Sequence, residues 1–176
     1  ILEVWLPRVI DLASVFHVGE AGEPLNLSHH EVVNTADGAF IGDIFDAGSQ
    51  VIETWEPDLR RVAEVVALEL SAAAYFGPVC VDSFVWDDNG TERLRPVADI
   101  NARLFVAAGV DRLWRSWECD RIVYWRFFSR RKLRLPENYS EIEDALGDDA
   151  FDSRTRRGLL VTSPLRAEAD RLRRIG

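Results

Sequence analysis

Apolar positions in the first hundred residues follow a two-residue period, switch to a helical one, and switch back. Val9 to Val18 is an apolar, β-branched run that turns at Gly19-Glu20-Ala21-Gly22, and Leu25 to Val33 returns as its antiparallel partner. Ahead of them, Ile1 to Leu6 reads as a short apolar strand ended by Pro7, and Asn34 to Gly42 is a glycine-punctuated connection. Leu59, Val62, Val66, Leu70 and Ala73 then recur on one helical face. Glu56-Pro57-Asp58 predicts the opening of that helix, with proline early and acids at the positive end of the dipole; Gly77-Pro78 stops it after about Tyr75.

Pro78 to Trp86 is apolar and β-branched, Asp87-Asp88-Asn89-Gly90 is a turn signal, and Arg93 to Ile100 resumes an extended pattern, which together predict a β-hairpin. With a two-residue Asn89-Gly90 turn, Asp82 lies opposite an odd-numbered residue near Val97 or Asp99. Alternation then puts Asp82, Asp99 and Asn101 on one face, unless a single-residue bulge intervenes. Facing carboxylates repel, and a cation between them relieves the repulsion; hard oxygen ligands suit Mg²⁺ bridging to phosphates. From this geometry alone, a solvated face whose acids touch only water serves equally well.

After Arg103 the chain is expected to leave the sheet over Leu104 to Val110 and to enter a helix through about Trp117. Arg121 to Phe128 reads as extended, Asn138 to Leu146 as a capped short helix, Gly158 to Thr162 as a strand, and Arg166 to Ile175 as a basic terminal helix. The expected class is α+β, an antiparallel sheet with packed helices.

Composition narrows the chemistry. With 176 residues, 47% of them hydrophobic, the chain can bury a sizeable core, which excludes disordered and collagen-like readings. A net charge of −9 argues against nucleic acid or an anionic membrane as partner, though a local positive site with metal still admits ATP. No apolar run of membrane-spanning length is present, and Ile1-Leu2-Glu3-Val4-Trp5 shows neither a basic n-region nor a cleavage site, so the chain is expected to be soluble. Cys80 and Cys119 stand apart, as free thiols do in a reducing compartment, so the cytoplasm is the expected location. The chain has no Met and begins as if inside a strand, so it reads as a piece of a larger polypeptide; its one lysine is Lys132.

Other chemistry-bearing residues read as structural. His29 and His30 are adjacent on a strand and point to opposite faces, so they do not share one ion; His17 reads as packing or surface. Tyr124 to Lys132 interleaves aromatics with cations, as a nucleic-acid groove does, but the overall acidity favours an edge strand with snorkelling arginines. Arg171-Leu172-Arg173-Arg174 reads as a solvated helix face.

The order of Leu2-Glu3-Val4-Trp5-Leu6, Asp11, Phe76-Gly77-Pro78-Val79-Cys80-Val81-Asp82 and Asp99-Ile100-Asn101-Ala102-Arg103 resembles the C-terminal half of the ATP-grasp domain, carboxylate-amine ligases included. The resemblance covers residues 1–108, leaves 109–176 as a C-terminal extension packing on it, and implies an N-terminal ATP-grasp region missing from this chain. It implies Asp82, Asp99 and Asn101 as ligands of Mg²⁺ (or Mn²⁺) on ATP, with Arg103 at the transferred phosphoryl group or acyl phosphate. Glu3, Val4, Trp5 and Leu6 would form the adenine hinge and Asp11 would meet the ribose hydroxyls. The implied reaction is activation of a small carboxylate as an acyl phosphate, followed by attack of an amine or another nucleophile.

Three departures stand out. Asp99 replaces the Glu of many relatives, Cys80 replaces an Arg found in some peptide-forming ones, and the phosphate-binding lysines and glycine-rich lid would precede Ile1. Two other classes stay open. A non-catalytic remnant or interaction module need not bind nucleotide, and an acid/base hydrolase using Asp82 and Asp99 would work without metal.

Overall fold

The computed structural model describes residues 5–35, 38–116, 122–128, 141–142 and 157–163. In chain order the elements are β1 (Arg8–Val18), β2 (Pro24–Asn34), β3 (Phe40–Phe45), α1 (Gln50–Ala72), β4 (Gly77–Asp87), β5 (Glu92–Asn101), α2 (Val106–Ser116), β6 (Ile122–Phe128), β7 (Glu141–Ile142) and β8 (Arg157–Ser163). The class is α+β with antiparallel strand pairing. Contacts divide the chain into two units. One holds the residues up to Glu31 together with Ser49–Ala108, the other Val32–Gly48 and the described residues from Gly109 on.

In the first unit the strand order is β5-β4-β1-β2. Strand alternation sends Val79, Val81 and Val85 of β4, with Leu12, Phe16 and Val18 of β1, toward α1, where they meet Leu59, Ala63, Val66 and Ala67. All of these are buried, and removal of such side chains from water is the main force fixing α1 on the sheet, roughly 2 kcal/mol for each large one. The opposite face of β4 carries Cys80, Asp82 and Phe84. It is this second face that holds the candidate chemistry.

The helix starts earlier than its proline implies. Ser49 is the N-cap, its Oγ accepting from Ile52 N at 3.4 Å, and Glu53 supplies the first-turn acid, so Pro57 lies inside α1. An internal proline removes one helical hydrogen bond and costs ~3 kcal/mol; burial of Leu59 and the residues below it outweighs that.

At its other end α1 closes with Tyr75 N donating to Leu70 O at 2.9 Å and Ala74 N donating to Ser71 O at 2.9 Å, which forces Ala74 to φ 61°. An alanine there is strained where glycine is not. Ala74→Gly is therefore expected to stabilise the protein by ~0.5 kcal/mol in urea unfolding, and a loss of stability would contradict the strained cap.

In the second unit the strand order is β3-β6-β8-β7. β6 pairs with β3 on one side and β8 on the other, so the aromatic and basic run does not begin as an edge strand: Trp125 is buried, opposite Asp43 and Leu160. Residues 129–132 of that run lie outside the described residues. Glu141 and Ile142 pair with Val161 and Leu160 as a strand, where a helix was expected; sheet pairing overrides a local capping pattern this short. The rest of that segment, Cys119 and the expected terminal helix lie outside the described residues. β3 was not foreseen, because Phe40 to Phe45 is interrupted by Gly42 and Asp43. Among the described residues no helix is long and apolar enough to cross a membrane.

Candidate functional site

The β4–β5 hairpin starts in the register its turn dictates. Asp87, Trp86, Val85 and Phe84 pair with Glu92, Arg93, Leu94 and Arg95, as an Asn89-Gly90 turn requires. Beyond Phe84 the register shifts by two residues, so that Asp82 faces Asp99 and Cys80 faces Asn101. Without the shift, Asp82 would face Val97. Pro96 sits in the shifted stretch, where its missing N–H breaks the ladder least, and its carbonyl accepts from the buried Ser83 Oγ at 2.8 Å. Val97 turns into the α1 core. A shift of two keeps the alternation intact on the far side, and the two carboxylates and Asn101 therefore share the face away from α1.

The side chains meet there. Asn101 Nδ2 donates to Asp82 Oδ2 and to Asp99 Oδ2, each at 3.2 Å, and Asn101 Oδ1 accepts from Arg103 Nη2 at 3.0 Å. Each acid has a local partner on its other oxygen: Cys80 Sγ donates to Asp82 Oδ1 at 3.4 Å, and Ile100 N to Asp99 Oδ1 at 2.9 Å. Arg103 Nη1 also reaches its neighbour Leu104 O at 3.4 Å. Asp82 is half-buried on the inner strand, while Asp99 and Arg103 are exposed at the edge. The cluster is thus anchored at Asp82 and open to solvent at Arg103.

This donor set fits a hard divalent cation. Two carboxylates directly across a strand pair repel, and three oxygens of Asp82, Asp99 and Asn101 are what Mg²⁺ or Mn²⁺ takes from protein while substrate oxygens and water fill its other positions. Among the described residues no three His, Cys, Asp or Glu side chains converge on a metal-sized site, so the amide is needed as the third ligand.

Asp11 lies on the same face. β1 pairs Asp11 with Phe84 and Ala13 with Asp82, which sets Asp11 diagonally across from Asp82, two residues further along. Pro7 O accepts from Asp87 N at 3.0 Å, pinning the segment that holds Trp5 and Leu6 to the far end of β4. From Asp87 to Asp82 is five residues, about 16 Å of strand. The segment expected to meet a base, the acid expected to meet a ribose and the acids expected to meet a metal thus follow one another along the length of β4, on it or beside it. Trp5 is 86% exposed and Leu6 half-buried; Glu3 and Val4 lie outside the described residues.

Two arginines on this face escaped the sequence. Arg8 Nη1 donates to Asp11 Oδ1 at 2.8 Å, and its guanidinium lies 4.1 Å from the centre of the Phe84 ring. Strict alternation puts Arg8 and Asp11 on opposite faces, but a one-residue bulge between Arg8 and Ile10 turns Arg8 onto the Asp11 side. Arg95 is brought to the same face by pairing with Phe84. Its only sequence signal was its distance from the turn.

The histidines are elsewhere. His29 and Leu27 share the α1 side of β2, and His29 Nδ1 meets the buried Ser14 Oγ at 2.8 Å. Burial lowers the His29 pKa to about 4, with Glu56 raising it and Arg60 and His30 lowering it further. Buried Glu31 accepts from Ser49 Oγ at 2.7 Å below the start of α1. His17, on β1, is exposed; His29 and His30 are both buried and, being adjacent on β2, lie on opposite faces of the strand. A groove of about 670 Å³ between α1 and β5, lined in part by Trp55, Arg61, Val62, Trp86 and Arg93, contains none of the hairpin cluster.

No protein-family model matches the chain, and no curated protein matches it.

Proposed function

We propose that the chain carries the metal- and nucleotide-binding half of an ATP-dependent ligase of the ATP-grasp type, acting in the cytoplasm on a small carboxylate. The observation that carries this reading is the pairing of Asp82 with Asp99, with Asn101 between them and Arg103 alongside. Asp82, Asp99 and Asn101 would hold Mg²⁺ or Mn²⁺, which when bound neutralises phosphate charge and polarises the transferred group.

The protein groups have separate tasks. Asp11 accepts hydrogen bonds from the ribose hydroxyls, and Arg8 steadies its carboxylate. The Trp5–Leu6 segment borders the base. Arg103, a forked cation at the open side of the cluster, meets the phosphoryl group in transit and the acyl phosphate that follows. A substrate carboxylate oxygen attacks the γ-phosphorus and ADP leaves; an amine or other nucleophile then attacks the acyl carbon and phosphate leaves. Phosphoryl transfer of this kind asks for positioning and charge neutralisation more than for a covalent nucleophile, and the face offers those. The remaining phosphate contacts would come from the N-terminal part of the same polypeptide.

The test is calorimetric titration of the full-length protein with ATP, with and without Mg²⁺. Magnesium-dependent binding is expected, weakened about tenfold or more by Asp99→Ala and by Asn101→Ala. Unchanged affinity in both variants, or binding indifferent to magnesium, would sink the assignment.

A further inference from the structure

The orientation of the Asn101 amide is dictated by its neighbours. Two carboxylate oxygens lie 3.2 Å from one end and a guanidinium nitrogen 3.0 Å from the other. Carboxylates accept and a guanidinium only donates, so the NH₂ must face Asp82 and Asp99 and the oxygen must face Arg103. Reversal would set lone pairs against both carboxylates and N–H against N–H at the arginine.

A divalent cation between the two acids inverts that logic. An NH₂ group cannot ligate a cation, so Asn101 serves as third ligand only with its oxygen turned inward. The NH₂ then faces Arg103, whose other partner is the weak 3.4 Å bond to Leu104 O. The guanidinium loses its acceptor at the moment the site is charged.

We infer that Asn101 is a positioning residue that latches Arg103 to the hairpin and releases it when a divalent cation binds Asp82 and Asp99. The inference rests on the proposed cation site. Its consequence is ordering: Arg103 is held against the end of β5 until the cation is in place, and only then is free to reach a phosphoryl group. β5 ends at Asn101, and Arg103, two residues past that end, still reaches Asn101 Oδ1 with its Nη2 at 3.0 Å, so one amide spans both partners.

The test reads Arg103 directly, without nucleotide, since a bound phosphate would itself shield the guanidinium. The full-length protein is treated with phenylglyoxal with and without Mn²⁺, and modification of Arg103 is followed by peptide mass spectrometry, with Mn²⁺ binding measured by calorimetry. In the wild type, saturating Mn²⁺ is expected to speed modification of Arg103 about fivefold, the factor corresponding to one hydrogen bond of ordinary net strength. Asn101→Ala is expected to be fast with and without Mn²⁺. Asn101→Asp, which accepts at both ends, is expected to be slow in both.

Mn²⁺ binding that leaves wild-type Arg103 reactivity unchanged overturns the latch alone, as does Asn101→Ala behaving like the wild type. A wild type that binds Mg-ATP but no free Mn²⁺ overturns the latch and keeps the nucleotide reading. Absence of both kinds of binding removes the two together.

Discussion

Asp82→Asn is expected to lower the ATP turnover proposed for the full-length protein about 1000-fold, and Asp99→Asn about 100-fold. Both substitutions keep shape and remove one negative charge, so the loss measures charge rather than packing. Their ranking comes from position. Asp82 sits half-buried on an inner strand with its Oδ1 held by the Cys80 thiol and its Oδ2 by Asn101. Asp99 is exposed on the edge strand, where water can take over part of its role. Steady-state ADP release at saturating ATP and magnesium measures the effect, with thermal melts to verify folding. Wild-type rates in Asp82→Asn would refute the phosphoryl-transfer reading. Equal losses in the two variants would refute the claim that Asp82 is the anchor.

The second large effect is on stability. His29 has a folded-state pKa of about 4 against an ordinary 6.5, because burial against α1 disfavours the imidazolium more than Glu56 favours it. Its Nε2 is buried with no hydrogen-bond partner among the described residues, and its Nδ1 is engaged by Ser14. Above pH 6.5 the ring is neutral whether the chain is folded or not, and stability is at its full value. Between pH 6.5 and 4 the unfolded chain takes up a proton that the folded one refuses, so stability falls as pH falls, by roughly 3 kcal/mol over the window. Below pH 4 both states are protonated and this contribution levels off.

Urea unfolding of the wild type and of His29→Gln at pH 7 and pH 4.5 isolates the effect from that of the carboxylates. The variant is expected to lose ~2 to 3 kcal/mol less than the wild type between the two pH values. Identical pH dependence in both would mean that His29 is not held neutral by burial.

The candidate site was legible in outline because strand alternation is a parity rule. Asp82, Asp99 and Asn101 could be assigned to one face from their numbers and the Asn89-Gly90 turn, although which residue faces Asp82 could not. The two-residue shift at Pro96 moves the partner from Val97 to Asp99 while leaving parity untouched. A one-residue bulge does the opposite: between Arg8 and Ile10 it carries Arg8 to the face of Asp11, against what alternation predicts. Nothing in Pro7-Arg8-Val9-Ile10 marks that bulge, since it is set by pairing with β4, a strand more than sixty residues away.

The long helix teaches a similar lesson. Its apolar face was readable from Leu59 onward, but Pro57 looked like a first-turn residue when it lies well inside. The capping information was present at Ser49, with Glu53 four residues on; it was outweighed by a stronger local signal. Burial of α1 against β1 and β4 decides the matter, and a local signal does not report burial.

By itself the sequence determined what depends on neighbours along the chain: α+β alternation of periods, the hairpin at Asn89-Gly90, and the common face of the two acids and the amide. Tertiary structure alone decided the partner of each acid, the arrival of Arg8 and Arg95 on that face, and the inward position of β6. The reason is the same in each case. Register between strands is fixed by the sum of packing across the sheet, and one or two residues of slip change which side chains meet without changing the pattern either strand displays.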